Sequence, residues 1–83
     1  MLRVLFFASI RERLGRREAT LVFEPECASL AGLVARLERD LPGCTQSLLA
    51  ERTIVALNRE VVGREHPIRD GDEVAFYPPV TGG

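Results

Sequence analysis

The 83-residue sequence has no tryptophan and no lysine, a single histidine and only two cysteines. So few nucleophilic and titratable side chains give a self-contained active site little to draw on. Enclosing such a site is also hard, because a domain this small buries only roughly 60% of the surface its unfolded chain exposes. The formal net charge of −1 lacks the basic excess that a phosphate-tracking nucleic-acid binder carries. No apolar run approaches the ~18 residues of a membrane helix. Arg3 interrupts the apolar start Met1–Ile10 and Arg11-Glu12 follow it, so this segment reads as a strand and not as an export signal. The chain is therefore expected in the cytoplasm with reduced thiols, engaging neither nucleic acid nor membrane. What is present, 46% hydrophobic and 28% charged residues, is ordinary globular material for one domain. An adaptor, carrier or subunit fits better than a complete enzyme.

Local patterns predict strand, strand, helix, then further strands. Leu2–Ala8 is short, aromatic and β-branched, and Ser9–Gly15 reads as one or two helical turns or a loop ended by glycine. Glu18–Phe23 is a second strand stopped by Pro25. Leu30, Leu33, Val34, Leu37 and Leu41 form one helical stripe, with Ser29 as N-cap and Pro42-Gly43 as terminator. Leu48 and Leu49 suggest a further helical turn. Thr53–Leu57, Glu60–Val62 and Glu73–Tyr77 read as strands, with Arg69–Asp72 a turn around Gly71. Cys27 and Cys44 flank a helix roughly 18 Å long at 1.5 Å per residue. A disulfide needs Cα atoms within about 7 Å, so both are expected to be packing residues. The simplest architecture is α+β, a β-grasp in which a mixed sheet wraps around one main helix.

One helix with one apolar stripe covers one face of a sheet. Yet Val4 and Phe6 oppose Leu5 and Phe7, Ile54 and Ala56 oppose Val55 and Leu57, and Val74 and Phe76 oppose Ala75 and Tyr77. Half of these side chains must face away from the helix; contiguous exposed apolar surface marks a partner site, the alternative being that a loop such as Glu60–Pro67 folds over part of this face. The domain, 1–77, then passes into a tail, 78–83. Pro78 and Pro79 end strand pairing, and Val80 to Gly83 extend about 13–14 Å at 3.3–3.6 Å per residue. Gly82 and Gly83 lack Cβ atoms, so this segment can thread a narrow channel and present an unhindered carboxylate.

The stretch Asp70–Gly83, with Asp-Gly-Asp-Glu-Val and Pro-Pro-Val-Thr-Gly-Gly, closely resembles the molybdopterin synthase small subunits, a family of ubiquitin-like sulfur carriers. Val4–Ala8 with Arg11-Glu12 and Leu14-Gly15, and Leu57-Asn58 through His66-Pro67, resemble the same family. The resemblance implies that an E1-like adenylyltransferase uses ATP to adenylate Gly83 and that a sulfur donor converts it to a thiocarboxylate. The large synthase subunit would then receive Val80, Thr81, Gly82 and Gly83, in a heterotetramer of two small and two large subunits. Sulfur would pass to cyclic pyranopterin monophosphate, forming the molybdopterin dithiolene. The chain itself would hold no cofactor or metal, only covalent sulfur on Gly83. Phe7, Val61 and Tyr77 would form the patch that meets either partner, with Arg11 at its rim.

Sister carriers for thiazole synthesis or tRNA thiolation, a ubiquitin-like protein modifier and an inert β-grasp module are the rival readings. The absence of lysine leaves no side-chain amine to form an isopeptide with an activated Gly83, although an arginine-biased composition is the plainer account. His66 reads as a loop residue, and Asp70, Asp72 and Glu73 as a solvated turn.

Overall fold

A computed structural model describes residues 1–79 of the chain. The elements run β1 (Leu2–Phe6), α1 (Ala8–Leu14), β2 (Glu18–Leu21), α2 (Leu30–Asp40), α3 (Cys44–Leu48), β3 (Ile54–Leu57), β4 (Glu60–Val62) and β5 (Glu73–Tyr77). A 3-10 turn, Pro25–Ala28, leads into α2. The five-stranded sheet has the order β2-β1-β5-β3-β4. β1 and β5 pair in parallel at its centre and every other pairing is antiparallel. This is the ubiquitin-like β-grasp.

The core lies between the sheet and α2. Leu30, Leu33, Val34 and Leu37 are buried against Leu2, Val4, Phe6, Val55, Leu57, Val74 and Phe76. These strand residues all share one face, as period-two alternation requires. Ser29 caps α2, its Oγ accepting the Gly32 N–H at 3.1 Å. Gly32 is required by proximity: a Cβ built there would stand 1.8 Å from the Glu26 carbonyl oxygen. Helix and 3-10 turn therefore touch backbone to backbone.

Three predicted strand boundaries shift, the first at β1, which ends at Phe6 and not at Ala8 because Phe7 and Ala8 turn the chain into α1. β2 ends at Leu21, and Val22 and Phe23 leave the sheet, because Leu21 already pairs with Leu2 at the start of β1. Thr53 lies outside β3; its N–H donates to the Ala50 carbonyl at 3.0 Å and its hydroxyl to the Ser47 carbonyl at 2.6 Å. The stretch after β1 is a full helix, α1, closed at Gly15. The main helix is accordingly joined by two short ones. α3 starts without a side chain of its own as cap, and Glu38 of α2 supplies one, accepting from the Gly43 N–H, the Thr45 N–H and the Thr45 hydroxyl.

Both cysteines are free and fully buried, as expected of packing residues. Burial, with the Glu38 carboxylate nearby, pushes the Cys44 thiol up to about 11. In the Arg69–Asp72 turn Gly71 takes a φ of +94°, where a side chain would be strained. Asp72 accepts from the Arg69 N–H at 2.7 Å and from Asn58 Nδ2 at 3.0 Å, and Asp70 pairs with the Met1 ammonium. His66 is an exposed loop residue whose Nδ1 donates to the Pro67 carbonyl at 2.9 Å. Among the described residues no helix is long and apolar enough to cross a membrane.

Candidate functional site

The sheet face turned away from α2 is built by the same alternation that builds the core. Registers across the strands place Leu5 beside Ala75, Ala75 beside Ala56, and Ala56 beside Val61 in one row. The two alanines are buried by their larger neighbours, at 4% and 3% exposure, whereas Val61 on the edge strand is 71% exposed. One row along, Tyr77 pairs with Ile54 and stacks on Phe7, with ring centroids 4.4 Å apart and planes 7° from parallel. Both rings remain half-exposed. The face is thus a shallow dish with an alanine floor and an aromatic wall.

The wall stands at the root of the tail. Phe7 lies between β1 and α1, its N–H donating to the Phe76 carbonyl at 3.2 Å and its carbonyl accepting from the Ile10 N–H at 3.1 Å. Ala8 takes a φ of +50°, turning the chain sharply from strand into helix. Tyr77 is the last residue of β5 and is followed at once by half-buried Pro78 and exposed Pro79. Neither proline can donate to a neighbouring strand, so pairing stops there. The predicted tail residues Val80, Thr81, Gly82 and Gly83 lie outside the described residues. Among the described residues, no His, Cys, Asp or Glu side chains gather in threes as a metal site.

Beside the wall an open groove of about 510 Å³ is lined by Arg3, Leu5, Phe7, Arg11, Arg17 and Glu18. Arg3 Nη2 lies 2.9 Å from Glu18 Oε2 and its Nη1 3.6 Å from Glu73 Oε2. Phe7 stacks on Tyr77 and lines the groove together with Arg11, and Val61 lies on the face of Tyr77 two strands away. Leu5, Ala56 and Ala75 were legible from alternation alone. Arg3 and Arg17 were not singled out in the sequence; only the pairing of β1 with β2 carries Arg17 back to Phe6, whose N–H donates to the Arg17 carbonyl at 2.9 Å.

An open apolar dish at the foot of a C-terminal strand can hold a partner while the tail is worked on elsewhere. Comparison with known proteins places the chain in a family. The chain is 39% identical over its whole length to the whole molybdopterin synthase sulfur carrier subunit of Escherichia coli (strain K12). Its fold matches the SAMP1 crystal structure from Haloferax volcanii, at a TM-score of 0.78 and 24% identity, over 99% of this chain and 98% of that one. It also matches a chain in the complex of subunits 1 and 2 of molybdopterin-converting factor from Helicobacter pylori 26695. That match has a TM-score of 0.66 and 25% identity, over 99% of this chain and 97% of the other. The ThiS family model matches residues 4–83, and the chain belongs to the ThiS family.

Proposed function

We propose that this chain is the sulfur-carrying small subunit of a molybdopterin synthase. The observation that carries the reading is the sharing of one strand by docking face and tail. Tyr77 closes β5 within the aromatic wall, and Pro78-Pro79 lead directly out of it. Beyond Pro79 the chain can extend by at most about 14 Å, at 3.3–3.6 Å for each of Val80 to Gly83. The names of full-length relatives support the same reading.

In the first step the Gly83 carboxylate attacks the α-phosphorus of ATP in an E1-like adenylyltransferase, and pyrophosphate leaves. A carboxylate is a poor electrophile; the acyl-adenylate carries AMP as a good leaving group. A hydrosulfide-level sulfur donor attacks the carbonyl carbon, the C–O bond to AMP breaks, and AMP, a proton and a terminal thiocarboxylate result. Loaded carriers then deliver sulfur to cyclic pyranopterin monophosphate in the large subunit, two sulfurs per dithiolene. Acid–base and phosphate-binding groups belong to the partners, and this chain supplies reach and docking. We place the assembly, two small and two large subunits, in the cytoplasm.

Intact mass after incubation with the activating enzyme, ATP and a sulfur donor tests the chemistry. A gain of about 16 Da, oxygen replaced by sulfur, is expected on the C-terminal peptide. An unchanged mass overturns the reading, and adducts on other proteins point to a modifier instead. Deleting Gly83 should abolish the gain while leaving circular dichroism and melting unaltered, since among the described residues the core cluster spans Leu2 to Phe76.

A further inference from the structure

The groove beside the aromatic wall holds positive charge that the fold does not compensate. Three arginines line it against one acid, Glu18. Arg3 is already bridged to Glu18 and Glu73, whereas Arg11 and Arg17 form no ion pair among the described residues. Both of these side chains are exposed, and Leu5 and Phe7 lie beside them as an apolar floor. A guanidinium is a rigid fork of donors that fits a carboxylate through two parallel hydrogen bonds. An apolar floor between two such forks suits a protein segment better than a small anion, which would leave Leu5 and Phe7 uncovered. A nucleic-acid strand would need a longer basic track than a chain of formal net charge −1 offers.

We propose that this groove seats an acidic segment of the large synthase subunit. That segment places an apolar side chain over Leu5 and Phe7 and carboxylates against Arg11 and Arg17. Arg17 acts as a specificity determinant for the partner. The inference rests on the function proposed above. It places the charged contact on the β2 side of the dish, opposite Val61 on β4, so that the partner's register across the sheet is fixed at both ends. Rim charges act mainly on encounter, so the signature is kinetic and salt-dependent.

Association of the sulfur-loaded chain with isolated large subunit, followed at low and high salt, decides the matter. Arg17→Glu should slow association roughly tenfold at low ionic strength, with the difference closing above about 0.5 M salt. Arg16→Glu makes the same charge change one residue outside the groove wall and should slow association less than about twofold. Arg17→Gln, roughly threefold slower, serves if the reversal impairs folding as judged by melting. Equal behaviour of the Arg16 and Arg17 reversals overturns the proposal. So does an effect confined to loading by the activating enzyme, or saturable tripolyphosphate binding with subunit association unchanged. Wild-type chain that loads and binds, with an Arg17→Glu variant that does both equally well, sinks the groove alone. Wild-type chain that neither loads nor binds sinks the function and the groove together.

Discussion

Phe6 and Phe76 lie on one side of the central strand pair, and their chain neighbours Phe7 and Tyr77 lie on the other. The inner rings have centroids 6.3 Å apart and are 2% and 0% exposed beneath α2. The outer rings are closer, at 4.4 Å, and half-open to solvent. Composition cannot separate the two pairs, since both are aromatic and both flank the β1–β5 ladder. Helix coverage separates them. α2 has apolar side chains for one face only, so one aromatic pair becomes core and the other remains available for a partner.

Truncation should split the pairs most strongly. Phe76→Ala leaves a cavity in the core and is expected to cost about 3–5 kcal/mol in stability, read from chemical denaturation. Phe7→Asp should leave the midpoint nearly unchanged yet weaken binding to the large subunit by about 2 kcal/mol or more, roughly thirtyfold. A large loss of folding in that variant would show that Phe7 belongs to the core after all. Next in size is the layer behind the inner pair. Gly32→Ala drives a methyl into the Glu26 carbonyl and should destabilise by about 1–3 kcal/mol, although alanine favours helices elsewhere.

The smallest effect is a dependence on pH. The Thr45 hydroxyl, together with the Gly43 and Thr45 N–H groups, holds the Glu38 carboxyl at about 2, below its ordinary 4.5. A carboxylate depressed on folding stabilises the native state above its unfolded pKa, and that contribution fades as pH falls from about 4.5 to 2. The melting-temperature gap between wild type and Glu38→Ala should therefore be full at pH 6 and narrow progressively towards pH 2. A gap that stays constant over this range would mean that Glu38 acts through packing and not through its charge.

Much of this was legible in the sequence because it depends on local periodicity. The α2 stripe, the Ser29 cap and the limits of β4 and β5 follow from spacing and turn residues, and so does the opposition of Phe6 to Phe7. What was missed depends on pairing between distant segments. Val22 and Phe23 look like strand but have no partner, because β1 begins at Leu2. Asn58 and Arg59 adopt φ of +50° and +70° in the β3–β4 turn, where an Asn-Gly pair would have given a stronger signal. Asn58 is held there by its Oδ1 accepting the Glu73 N–H at 3.0 Å, a contact across 15 positions of sequence. The basic groove is similarly a product of strand register, which no local window reveals.

The position of β5 bears on what happens when the tail is pulled. The strand is clamped on both flanks, in parallel to β1 and antiparallel to β3. Tension applied beyond Pro79 runs along the strand, so its ladder bonds are loaded together in shear instead of being unzipped singly. A machine that tugs the far end to extract or reposition it would have to break both ladders to free the strand, so the domain would follow as a handle.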